Sequence, residues 1–183
     1  MTGIAQFALL PLPGPGPGAE KPAAGRRTVV FSLAADPRLA PDEPRPMYFG
    51  CCYLAEPQRY EYIDPRRPRD VARLLARLAD ATELVTFNGS AVDLLILREH
   101  HGLSGPVPVK GRHTDLAIVP GAQGHRIGLD AATRLNLRAP RLDAASLEYD
   151  PENRRHARQA CQSDVRQIHQ LWKLHKAGVL RYP

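Results

Sequence analysis

The sequence predicts an α/β domain built on a mixed sheet flanked by helices. Three observations carry this expectation. The elements run in the order three strands, helix, strand, helix and then further helices. The gap between the second and third strands is of hairpin length. The helical segments place their apolar residues on one face only. Hairpin-joined strands pair antiparallel and strand–helix–strand crossovers pair parallel, so both connections in one chain make a mixed sheet. At 183 residues the chain is long enough for one domain with a real core.

The lead-in, residues 1–25, includes the Pro/Gly-rich run PLPGPGPGAEKP. Such a run forms neither helix nor central strand, so a flexible segment is expected there, with the folded domain over 26–183. Arg27–Ala34 (RTVVFSLA) is β-branched and aromatic and reads as a buried strand. Pro37 to Pro46 holds four prolines and reads as a loop. Met47–Leu54 and Arg59–Ile63 read as the next two strands. Asp70–Ala79 is an amphipathic helix, with Val71, Leu74, Leu75 and Leu78 at helical spacing and Asp70 as its N-cap. Glu83–Phe87 is a short strand, Asn88-Gly89-Ser90 a turn, and Ser90 the cap of a helix over Ala91–His101. Gly128–Leu137 is expected as a short helix. The last long helix is Arg154–Lys176, with a stripe of Cys161, Val165, Ile168 and Trp172 and a stop at Gly178.

Composition narrows the function classes. Lys plus Arg is 25 and Asp plus Glu is 19, a formal net charge of +6 with a pI near 9.5. A basic balance fits a phosphate-rich partner such as nucleic acid. Cys51, Cys52 and Cys161 offer no C-x-x-C spacing, which argues against a zinc site or a disulfide framework. The seven histidines show no paired metal-ligand spacing. No apolar run approaches the roughly 20 residues that span a membrane, and Ile4–Leu10 lacks a basic segment before it. A cytoplasmic location is the expectation.

Two stretches carry a more specific signal. Leu84–Leu97 reads LVTFNGSAVDLLIL, and Cys161–Pro183 reads CQSDVRQIHQLWKLHKAGVLRYP. They resemble the second and third motifs of the DEDD-type 3′–5′ exonucleases with the ribonuclease H-like fold. Arg27–Pro37 (RTVVFSLAADP) stands where that family has its first motif, a strand bearing Asp-x-Glu. The resemblance covers Arg27 to Pro183 and implies a ribonuclease H-like mixed sheet. It also implies metal-dependent cleavage of nucleic acid from a single-stranded end. In such sites four carboxylates hold two magnesium or manganese ions ~3.5–4 Å apart, which activate water and stabilise the leaving oxygen.

Carried over residue by residue, the resemblance places Asp93 and Asp164 at the second- and third-motif acids, the candidate metal ligands. The first-motif acids are replaced by Ser32 and Ala34, and the water-orienting Tyr by Ala160. Two carboxylates cannot balance two divalent ions, so the expected function is a nucleic-acid-binding, exonuclease-like domain with impaired catalysis. Asp36 lies on the strand face of Ser32 and Ala34, so an active enzyme using Asp36, Asp93 and Asp164 with magnesium or manganese is the first alternative. A protein-interaction module on the same fold, with a protein partner and no cofactor, is the second. Asn88, Gly89, Lys110, Arg112, Arg154 and Arg155 are candidate nucleic-acid contacts, with Lys110 and Arg112 expected in a loop between helices.

Overall fold

A computed structural model describes residues 27–35, 47–100, 106–107, 109–121, 124–138 and 155–182. The Pro/Gly-rich lead-in, the loop with Asp36, and Arg154 lie outside the described residues. Five strands and four helices are described: β1 (Thr28–Ala35), β2 (Met47–Leu54), β3 (Arg59–Ile63), α1 (Pro68–Asp80), β4 (Glu83–Thr86), α2 (Asp93–His100), β5 (Arg112–Asp115), α3 (Leu129–Leu137) and α4 (Arg155–Lys176). The sheet order is β3-β2-β1-β4-β5. β1 pairs antiparallel with β2 and parallel with β4, while β2–β3 is antiparallel and β4–β5 parallel. The mixed sheet expected from the connections is therefore present.

Alternation along the central strands builds two cores. Val29, Phe31 and Leu33 of β1, with Cys52 and Leu54 of β2, pack against Val71, Leu74 and Leu78 of α1 and Ile96 and Leu97 of α2. Val30 of β1, Phe49 and Cys51 of β2 and Val85 of β4 pack on the opposite face, against Ala132 of α3 and Cys161, Val165, Ile168 and Leu171 of α4. The middle strands are thus covered on both sides, and this is why β1 reads as a near-continuous apolar run. A register irregularity between Ala34 and Ala35 breaks the alternation where β1 meets Met47, and Met47 packs on the α1 side.

Several local expectations change. Helix α1 starts at Pro68, with Arg67 at the N-cap; Asp70 is not the cap but a buried first-turn residue whose carboxylate meets Arg73. Proline at N1 supplies the helical φ and needs no hydrogen bond, which moves the start two residues upstream. In α4, Leu171 takes the fully buried place and Trp172 is half-buried, because the indole N–H must reach Glu83 Oε1 at 3.1 Å. The largest difference is β5. Arg112 opens a strand rather than sitting in a loop between helices, and Arg112 pairs with Glu83 while Asp115 pairs with Thr86. Gly111 allows this pairing to begin, since a Cβ there would lie 2.2 Å from the Thr82 carbonyl oxygen. Gly178 ends the last helix in the left-handed region, with φ 71°, as expected. No described helix is long and apolar enough to cross a membrane.

Candidate functional site

The parallel pairing of β1 with β4 stops at Val30–Val85, but β1 runs on to Ala35. Beyond Val30 the backbone of β1 therefore has an open edge on the β4 side. Asp93, the first residue of α2, fills it: its Oδ1 accepts the Leu33 N–H at 2.9 Å. This pins the second-motif acid between Ser32 and Ala34, the two positions that resemble the first-motif acids. Both lie half-buried on β1, on the face shared with Val30. Asp93 itself is only 4% exposed.

The surroundings of Asp93 set its protonation. Burial is the largest cause pushing its carboxyl up to about 7; the Leu33 N–H works against this, and the charges of Asp115 and Asp164 add to it. Asp164, on α4, thus lies within electrostatic reach of Asp93. Asp164 is also buried, and Ala160 lies one turn before it on the same helix. An alanine there offers no hydroxyl to orient water.

Asp115, at the end of β5, was missed by the sequence reading. Its carboxylate accepts the N–H groups of Asn88 (2.7 Å), Ser90 (3.1 Å) and Ala117 (3.2 Å) and the Ser90 hydroxyl. Burial would raise its carboxyl, but these donors outweigh burial and hold it below the ordinary carboxylate value. Arg126 closes the cluster. One of its nitrogens reaches Asp115 at 3.1 Å and Asn88 Oδ1 at 2.8 Å, and the other reaches the Ser90 hydroxyl at 3.2 Å. Ser90 therefore spends its hydroxyl on Asp115 and does not cap α2, which begins later, at Asp93. The sequence signal that could have found Asp115 is a glycine, a short polar stretch and then an apolar run, Gly111-Arg-His-Thr-Asp-Leu-Ala-Ile-Val.

The turn that carries this cluster has tight steric needs. Asn88 adopts φ 62°, a conformation asparagine tolerates. Gly89 packs directly on Thr86, and a Cβ at Gly89 would lie 2.3 Å from the Thr86 Cβ. That atom belongs to the strand and cannot swing aside. Gly89→Ala is expected to destabilise the domain by about 1–3 kcal/mol, the usual overpacking cost, measured by urea unfolding. An unchanged midpoint would mean that the turn relaxes freely.

The other sequence candidates fall in two places. Lys110 is exposed and Arg112 opens β5 at the Glu83 end of the sheet, so neither is brought to the Asp93 end. Arg155, at the start of α4, lines a groove beside β3. Asp36 and Arg154 lie outside the described residues.

A pair of divalent ions needs several charged oxygen donors within reach of one another. Among the described residues no group of three or more His, Cys, Asp or Glu side chains is placed to hold a metal ion. Asp93 and Asp164 are available in position and kind, but Ser32 and Ala34 bring no charge and Asp115 is saturated by four donors and Arg126. The described residues therefore do not fit a two-ion site.

No protein-family model and no curated protein matches the sequence. Solved structures do match. The family B DNA polymerase from the hyperthermophilic archaeon Pyrobaculum calidifontis superposes with TM-score 0.61 at 18% identity, over 82% of this chain and 24% of that one. The Aedes aegypti Nibbler EXO domain gives 0.52 at 13% identity, over 79% and 77%. The Neurospora crassa Pan2 catalytic unit (protease and nuclease domain) gives 0.54 at 8% identity, over 87% and 30%. The chain thus spans about a quarter of the polymerase and most of the Nibbler domain. At these identities the likeness is one of fold: a mixed five-stranded sheet flanked by helices, in the ribonuclease H-like arrangement.

Proposed function

We propose that this chain, which has the ribonuclease H-like fold of the DEDD-type 3′–5′ exonucleases, is a nucleic-acid-binding domain whose cleavage chemistry is impaired. One observation carries the reading. At the point where Asp93 is pinned to β1, the two flanking positions are Ser32 and Ala34. Neither can be a negatively charged ligand. The neighbouring carboxylate, Asp115, does not replace them, because it is held by Ser90, Asn88, Ala117 and Arg126.

What remains can bind and position, but is poor at chemistry. If a divalent ion enters, Asp93 and Asp164 are the residues that would hold it, and magnesium or manganese suits such oxygen donors. The chemistry such an ion supplies is activation of water and stabilisation of the leaving oxygen. With Asp93 titrating near 7, a fraction of it carries a proton at neutral pH and accepts a cation less well. Arg126 presents a partly exposed guanidinium at the rim of the site, suited to a phosphate oxygen. The preferred ligand on this reading is a single-stranded end, and the location is the cytoplasm.

The test is cleavage of end-labelled single-stranded DNA and RNA with magnesium or manganese, with binding followed in parallel. Binding with no cleavage supports the reading. Robust cleavage lost in Asp93→Ala would overturn impairment and point to a working acid set that includes Asp36. Absence of any salt-dependent binding would favour the protein-interaction alternative.

A further inference from the structure

At the far edge of the sheet from β5, an open groove of about 1010 Å³ runs beside β3, between the β3–α1 turn and the start of α4. Eight arginines and three carboxylates line it, leaving a net of +5 there, whereas the whole chain carries +6. The excess positive charge of this protein is thus concentrated on one edge.

The arginines are of two kinds. Arg59 of β3 and Arg73 and Arg77 of α1 are held in place. Glu61 receives Arg77 at 3.0 Å, Arg59 at 2.6 Å and Arg73 at 3.5 Å, and its carboxyl lies below the ordinary value: burial opposes this, but the arginines prevail. Arg73 also donates to the Tyr62 carbonyl at 3.1 Å, on the outer edge of the sheet. Others keep their guanidinium for a ligand. Arg67 and Arg69 are exposed in and beside the β3–α1 turn, and their side chains meet no acid among the described residues. Arg158 lies over the Tyr62 ring, 3.8 Å from its centroid, with its edge exposed.

The groove opens towards the candidate site. Phe49 on its wall pairs across the sheet with Ala34. The Tyr62 hydroxyl donates to Gln162 Oε1 at 2.9 Å, two residues before Asp164 on α4. A chain lying in the groove would therefore lead to the strand and helix that present Ser32, Ala34 and Asp164.

We infer that this arginine groove binds the phosphate backbone of a single nucleic-acid strand and leads it to the Asp93–Asp164 end of the sheet. This extends the proposed function and rests on its nucleic-acid reading. Planar guanidinium groups bind phosphate through paired hydrogen bonds, and Arg158 is pre-positioned for this by lying on the Tyr62 ring. A concave groove does not match the flat, extended surface of a lipid bilayer. An acidic protein would also satisfy the charge; the course of the groove towards Ser32, Ala34 and Asp164 favours a nucleic-acid strand.

The experiment is fluorescence anisotropy of the full chain with labelled single-stranded DNA and RNA across a salt series. The variant is Arg67→Ala, Arg69→Ala and Arg158→Ala together, with the three Arg→Lys changes as a charge-preserving control. All three side chains are exposed, and thermal melting checks that the fold is kept. Loss of three phosphate contacts should weaken binding about tenfold or more at low salt and reduce the log–log salt slope by ~2. The lysine control should keep the slope. Wild-type affinity and slope in the alanine variant would overturn the groove while leaving nucleic-acid binding intact. No binding by the wild type would overturn both readings. Binding to anionic vesicles but not to either nucleic acid would also overturn the inference.

Discussion

Replacing Ser32 by Asp and Ala34 by Glu together should create manganese binding and a measurable nuclease activity. The two positions flank Leu33, whose N–H already holds Asp93 at 2.9 Å. Two carboxylates added there complete an acid set with Asp93 and Asp164. Without metal the double variant should melt below the wild type at pH 8, because like charges are then crowded into a buried site. Manganese should restore the lost stability, since a ligand that binds only the folded state stabilises it by mass action. Cleavage should stay well below that of a complete site. Ala160 offers no group to orient water, and such groups contribute roughly 10²- to 10⁴-fold. Calorimetry with manganese and a labelled-strand assay read both effects. A variant that melts normally yet neither binds metal nor cleaves would mean that these two positions are not what separates this domain from a metal-dependent nuclease.

Asp93→Asn should raise stability above pH 7 in the absence of metal. The carboxyl titrates near 7 when folded, chiefly because it is buried, against ~3.9 in the unfolded chain. Below ~3.9 both states bind the proton, so the aspartic acid carries no ionisation cost there. Between the two values the folded state holds more protons, and stability falls as pH rises. Above about 7 the full cost of a buried, crowded carboxylate is present. Asparagine avoids that cost and keeps an oxygen for the Leu33 N–H. The expected gain at pH 8 is of order 2–4 kcal/mol at most, several degrees in Tm, shrinking to little near pH 4. A melting series of both proteins measures it. A gap independent of pH would show that Asp93 is not held up by burial. A gap that closes on adding manganese would show that a cation site survives.

Much of the scaffold is legible from local chemistry. Strands β2 and β3 have the bounds read from composition and hairpin length, because β-branched and aromatic residues and a short polar turn act within a few residues. Helices α1 and α4 follow from their apolar spacing. Asp93 and Asp164 stand out for the same reason: an acid inside an apolar helix face is costly unless it serves a site, and both are buried at one end of the sheet. Residues near a special backbone position were read less well. Asp70 and Ser90 look like caps, but other partners claim their oxygens: Arg73, one turn on in the same helix, for Asp70, and Asp115, from β5, for Ser90.

The sequence by itself determined the class of fold and the order of its strands and helices apart from β5, since these rest on side-chain type and near-neighbour spacing. The tertiary structure alone decided three things. Strand β5 is four mostly polar residues, RHTD, with no pattern of its own, and it exists because β4 offers it a parallel edge. Asp115 joins the site only through that pairing, and donors from a turn 25 to 27 residues earlier in the chain then lock it. The arginine groove unites side chains from β3, the β3–α1 turn, α1 and α4 that lie up to about a hundred residues apart, as do Tyr62 and Gln162 across its wall. Charge along a chain is visible in a sequence, but its concentration in space depends on which edges the topology brings together.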